Sequence, residues 1–206
     1  MNIYTENEET YLKRIKERLT KLKSFLNTLN LEDDSELTDW YEGLSEIKTI
    51  QGNSNNDVSF IACVMAKGYL AKKFRIGTFD VAEKPQGANG LDIDLLTEGG
   101  ERVVGEIKTT TPYSGAKNDF GAKQKESFKH DFDKLNNIPA DHKFFFLTDS
   151  KSFELVQKKY AKLIPNVNVV LLTPQIKKRH FGSAKGLITI ADDFDEPLAD
   201  FNEYMK

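Results

Sequence analysis

The chain has 206 residues, 39% of them hydrophobic, enough to bury one sizeable core and too few for two full domains, so one globular domain is expected. Its only cysteine, Cys63 in the apolar run FIACVM, excludes an internal disulfide and a thiolate-rich zinc site and reads as a buried structural thiol. A formal charge of −3 argues against coating nucleic acid by bulk positive charge, and the absence of a long apolar run or a secretory N-terminus predicts a soluble, cytoplasmic protein with no membrane partner.

In chain order, Leu12, Ile15, Leu19, Leu22, Phe25, Leu26 and Leu29 recur at three- and four-residue steps, predicting an amphipathic helix over 8–29 whose other face is rich in lysine. Trp40, Leu44 and Ile47 predict a second helix, broken by the run QGNSNN at 51–56, and 57–74 reads as a mostly buried third helix. The period then changes. LDIDLL at 91–96 and RVVGEIK at 102–108 are short extended runs separated by the turn-rich TEGGE, which predicts an antiparallel hairpin. A helix over 120–135, a strand over 143–147, a helix over 152–163, a strand over 167–172 and a last extended piece at 186–190 follow. This succession predicts an α/β domain: a central mixed β-sheet flanked by helices, with an N-terminal helical region at 1–50, the core at 51–191 and an acidic tail at 192–206. Between 151 and 180, Lys151, Lys158, Lys159, Lys162, Lys177, Lys178 and Arg179 face a single acid, Glu154, so a basic cleft on an acidic body is one expectation and a solvated helix face the other.

Side chains alternate across a strand, so Asp92 and Asp94 share one face while Leu91, Ile93 and Leu95 share the opposite one. On the second strand Glu106, Lys108 and Thr110 share a face, with Gly105 and Ile107 opposite. If the hairpin closes through Gly99 and Gly100, carboxylates and one ammonium converge at the open end of a sheet. Like charges held close raise one another's pKa unless a divalent cation neutralises them, and oxygen-only ligation suits magnesium or manganese.

GLDID followed by GEIK resembles the PD-(D/E)XK nuclease superfamily, which includes many type II restriction endonucleases; the likeness covers roughly 59–172. No proline precedes the aspartate, and two aspartates stand where the motif needs one. The resemblance implies a restriction endonuclease-like fold and a catalytic set of Asp94, Glu106 and Lys108. Asp94 takes the metal-binding position because its spacing to Glu106 suits a tight hairpin, with Asp92 as the alternative or additional ligand. It further implies Mg²⁺, with Mn²⁺ able to substitute, held by these acids and the Ile107 carbonyl, and Lys108 orienting the attacking water. The implied activity is hydrolysis of double-stranded DNA to 5′-phosphates by a homodimer that addresses both strands of a two-fold symmetric site.

Further DNA contacts are expected from the loop after the lysine (Thr110, Tyr113), from the next helix (Lys123, Gln124) and from the basic run holding Lys178 and Arg179. His130, His142 and His180 are too scattered for a histidine metal site and read as structural. Two other functions fit the same residues: a repair or recombination nuclease that recognises DNA structure, and a DNA-binding module that keeps the fold without activity.

Overall fold

A computed structural model describes residues 3–30, 36–83, 90–112 and 119–173. The expected piece at 186–190, the acidic tail, Tyr113, Lys178, Arg179 and His180 lie outside the described residues.

Three helices come first: α1 (Glu6–Thr28), α2 (Leu37–Gln51) and α3 (Ser54–Ala71). The start of α1 is fixed by a capping box in which the Glu8 amide donates to Thr5 Oγ1 at 3.2 Å and the Thr5 amide donates to Glu8 Oε2 at 3.0 Å. The break between α2 and α3 falls inside QGNSNN, where Gly52 takes a positive φ of 52° and the Asn53 side chain caps α3. Glu8 has a second duty. Fully buried, it accepts from Lys67 Nζ at 2.8 and 2.9 Å and from the Val81 amide at 2.8 Å, tying α1 to α3 and to the chain beyond it.

The sheet holds four strands in the order β1 (Ile93–Leu96), β2 (Arg102–Lys108), β3 (His142–Leu147) and β4 (Asn168–Leu171). β1 and β2 form the expected antiparallel hairpin, while β2 to β3 and β3 to β4 run parallel, so the sheet is mixed. The hairpin loop closes through the Thr97 amide on the Glu101 carbonyl at 2.9 Å, with Gly100 at φ 83° making the reversal.

Each parallel step needs a crossover: α4 (Ala122–Asn137) joins β2 to β3, and α5 (Ser150–Leu155) begins the connection to β4. The single helix expected over 152–163 is instead three pieces, because α5 passes into a π turn (Val156–Tyr160) and then a 3₁₀ turn (Ala161–Leu163). Val156 and Ile164 are buried, and the Tyr160 hydroxyl donates to Asp119 Oδ1 at 2.8 Å, so tertiary anchors reset the helical phase.

The two crossovers step the same way across the sheet, and right-handedness then places both connecting segments on one face. Phe128, Phe132 and Leu135 of α4, with Val156 and Ile164, pack on Val104, Phe145 and Leu147. On the other face Ala66 and Leu70 of α3 pack on Ile93, Leu95, Val103, Phe144 and Phe146. Gly105 permits this second layer to close, since a Cβ there would lie 3.2 Å from the Phe146 ring. The result is a three-layer α/β arrangement around a phenylalanine-rich core. Among the described residues no helix is long and apolar enough to cross a membrane.

Candidate functional site

The hairpin register decides which acids meet. Ile93 pairs with Gly105 and Asp94 with Val104, so one further step along the ladder sets Asp92 across from Glu106. The carboxylates of Asp92 and Glu106 are in hydrogen-bond contact, and Asp92 Oδ2 also accepts from the Ile107 amide at 2.8 Å. In a strand the N–H and C=O of one residue point to the same edge, so the Ile107 carbonyl turns to the edge that Asp92 occupies, just past the end of β1.

Asp94 stands elsewhere. Its two oxygens accept from Arg102 Nε at 2.9 Å and Nη2 at 2.7 Å, in an exposed fork-to-fork pair one step nearer the loop. Asp92, not Asp94, is therefore the aspartate beside Glu106, and the expectation that Asp94, Glu106 and Lys108 converge is corrected. The physical reason is the loop: closure between Thr97 and Glu101 fixes the pairing of every residue behind it.

Helix α4 supplies the rest of the cluster. Lys108 Nζ donates to Ser127 Oγ at 2.9 Å and lies 2.7 Å from Asp131 Oδ2. That second contact is an ion pair outside hydrogen-bond geometry, and Asp131 Oδ2 is otherwise a buried oxygen with no hydrogen-bond partner. Lys134 Nζ reaches Glu106 Oε1 at 3.1 Å, the Gly90 carbonyl at 3.3 Å and Asp131 Oδ1 at 3.9 Å. Three acids and two lysines thus share a site between β2 and α4, with Glu106 and Asp131 only 3% and 4% exposed.

Crowding of the acids sets the electrostatics. Burial, then the neighbouring Asp92 and Asp131 carboxylates, push Glu106 up to about 8, against the pull of Lys134. For Lys134 burial works downward, and Glu106, Asp131 and Asp92 outweigh it and raise the ammonium above its ordinary value. The two shifts are opposed only if Glu106 is taken alone. Lys134 faces three acids and keeps its charge through the others, while Glu106, pushed up to about 8, keeps its proton at neutral pH.

Of the DNA-contact candidates, Gln124 closes the start of α4, accepting from the Gly121 amide at 3.0 Å, and its amide nitrogen donates to the Thr111 carbonyl at 2.9 Å. It therefore ties α4 to the chain leaving β2. The Thr110 carbonyl accepts from Ser152 Oγ at 2.7 Å, and Lys123 is exposed on α4. His142 packs against Phe74 in a tilted contact with centroids 4.7 Å apart and lies 3.3 Å from Glu101, away from the acid cluster. Sequence reasoning missed Ser127, Asp131 and Lys134. Their signal was available, because Gln124, Ser127, Asp131 and Lys134 recur at three- and four-residue steps beside the apolar stripe Phe128, Phe132 and Leu135.

Among the described residues no group of three or more His, Cys, Asp or Glu side chains is arranged to hold a metal ion. A cation here would take two carboxylates, Asp92 and Glu106, and the Ile107 carbonyl, with water or phosphate completing its shell. That set fits Mg²⁺, which keeps several waters and commonly binds through one or two protein carboxylates. The donor chemistry fits as well: a buried carboxyl driven up by its acidic neighbours is relieved by a positive charge placed between them.

A family model described as a protein of unknown function (DUF2281) matches residues 153–204, a stretch that begins within α5 and contains none of the acid and lysine cluster. No curated protein and no solved structure matches the chain.

Proposed function

We propose that this chain is a Mg²⁺-dependent endonuclease acting on double-stranded DNA, of the PD-(D/E)XK kind with a restriction endonuclease-like fold, and that it cuts at specific sites as a type II enzyme. The observation that supports this reading is the meeting of Asp92, Glu106 and the Ile107 backbone at the open end of a mixed sheet, with Lys108 joined to the cluster through Asp131. The pattern alone, with 30% of the residues charged, would carry little weight. The register, which sets half-buried Asp92 against buried Glu106, gives it chemical content.

Asp92, Glu106 and the Ile107 carbonyl would hold the cation, which when bound lowers the pKa of a water and offsets charge building on the phosphorus. Lys108 orients the attacking water toward the phosphorus, and Asp131 with Ser127 aims the Lys108 ammonium. Attack in line with the leaving group forms a bond from the water oxygen to phosphorus and breaks the bond to the 3′ oxygen. The 3′ oxygen takes up a proton, leaving a 5′-phosphate and a 3′-hydroxyl. Thr110, Lys123 and Gln124 lie on the segments that border this site and are the candidate contacts to the backbone of the duplex.

Cutting both strands calls for two active sites, and a homodimer supplies one to each. Helix α2 offers the surface for a second copy: Leu37, Trp40, Tyr41 and Leu44 are exposed at three- and four-residue steps.

The test is hydrolysis of plasmid DNA with Mg²⁺ by the wild-type chain, Glu106→Ala and Lys108→Ala. Discrete fragments from the wild type and loss of cutting in both variants are expected. Cutting at full rate by either variant overturns the assignment, and cutting confined to nicked or branched DNA replaces restriction by repair or recombination.

A further inference from the structure

We infer that the Lys134 ammonium holds Glu106 when no metal is bound, and that a divalent ion taken up by Asp92 and Glu106 displaces it. The inference rests on the metal-site reading above and adds a residue that the resemblance does not assign.

Lys134 Nζ shares Glu106 with the donors proposed for the cation and is otherwise bounded by the Gly90 carbonyl and Asp131. All its partners are oxygens: Glu106 Oε1 at 3.1 Å, the Gly90 carbonyl at 3.3 Å and Asp131 Oδ1 at 3.9 Å. Two come from acids and one from the backbone, a mixture that also suits a hard divalent cation. The ammonium is strongly hydrated and carried on a flexible four-carbon stem, and the Lys134 side chain is still 32% exposed. It can leave. Glu106 cannot follow, because it sits in β2 with its backbone paired to β3 and its side chain 4% exposed.

The place for such a stand-in is geometric: Glu106 and Asp131 are both buried, and both stand within reach of the one Lys134 ammonium. Lys108 does not fill this role, since its ammonium is held by Ser127 and Asp131. On displacement Lys134 would swing toward solvent at the rim of the site, where a cation favours the phosphates of a bound duplex. Metal entry and the presentation of a phosphate contact are then one event.

The experiment uses the full chain and Mn²⁺ alone, followed by the electron paramagnetic resonance of the free ion and by calorimetry. If the ammonium is seated about nine-tenths of the time, it weakens metal binding by about tenfold, so Lys134→Met and Lys134→Gln are expected to bind Mn²⁺ about tenfold more tightly than wild type. Without metal both variants should melt lower than wild type, and saturating Mn²⁺ should raise their melting temperatures more than it raises that of wild type. A measurement on the unaltered chain stands beside the variants: amine-reactive labelling of Lys134, read by mass spectrometry, should rise when Mn²⁺ is added. Equal or weaker Mn²⁺ binding by the folded variants, or labelling of Lys134 that stays level or falls, overturns the inference while wild-type binding leaves the metal site standing. Folded wild-type chain that binds no Mn²⁺ overturns both.

Discussion

The most direct physical consequence of the acid cluster is a pH dependence of stability that belongs to Glu106. Its carboxyl is raised from 4.5 to about 8 in the fold by burial and by Asp92 and Asp131. Below the unfolded value both states carry the proton, so the group's contribution to stability is fully present there. As pH rises toward 8 the unfolded chain gives up a proton that the folded chain retains, and stability falls through that window until the folded group ionises too. At about 1.4 kcal/mol per pH unit the whole interval amounts to roughly 5 kcal/mol as a ceiling. Screening by water at the half-exposed rim of the site brings the expected loss to a few kcal/mol. Glu106→Gln removes the titration. Its carbonyl can still accept from Lys134 but carries no charge, an offset that does not vary between about pH 5 and pH 9, where lysine stays charged. Urea unfolding of both proteins across that range should therefore show the wild type falling relative to the variant as pH rises, and saturating Mg²⁺ should flatten the wild-type curve. Parallel curves without metal would refute the claim that the acids crowd one another, and with it the main physical argument for a cation site.

Two further outcomes separate the roles of other acids. Asp92→Asn should weaken Mn²⁺ binding by more than about tenfold, whereas Asp94→Asn breaks only an exposed pair with Arg102, should cost under about 1 kcal/mol, and should leave binding nearly unchanged; calorimetry showing the reverse order would return the ligand role to Asp94. Lys67→Met leaves the Glu8 carboxylate, fully buried in the wild type, without its ammonium. Urea unfolding should then record a loss of about 3–5 kcal/mol, and a loss under about 1 kcal/mol would show that the pair is no anchor for α1.

Much of the sheet was legible because its signals are local. Alternation along LDIDLL and RVVGEIK, with a glycine turn between them, determines a hairpin and the faces within its strands, as expected, except that Leu91, which precedes β1, packs with Val104 on the α4 side and not with Ile93 and Leu95. The choice between Asp92 and Asp94 was also within reach. Counting back equally from Leu96 and Arg102 leads to Asp92 and Glu106, and only the preference for a tighter loop pointed to Asp94. The break of α5 into π and 3₁₀ turns was not legible, because it depends on Val156, Tyr160 and Ile164 finding partners far away in the chain.

The contribution of α4 lies between these cases. Helical periodicity shows that Gln124, Ser127, Asp131 and Lys134 form a polar stripe next to the apolar stripe of Phe128, Phe132 and Leu135. An isolated amphipathic helix would turn that stripe to water. It turns inward here because the apolar stripe beside it must cover Val104, Phe145 and Leu147. Packing that buries the phenylalanines carries Asp131 and Lys134 onto the polar end of β2, where Glu106 and Lys108 already stand. One set of contacts therefore drives the fold and closes the site. The acids and lysines on β2 and α4 are held together by a core that does not need their charges to form, which is the condition under which a fold can retain a crowded cluster whose relief comes from a bound ion.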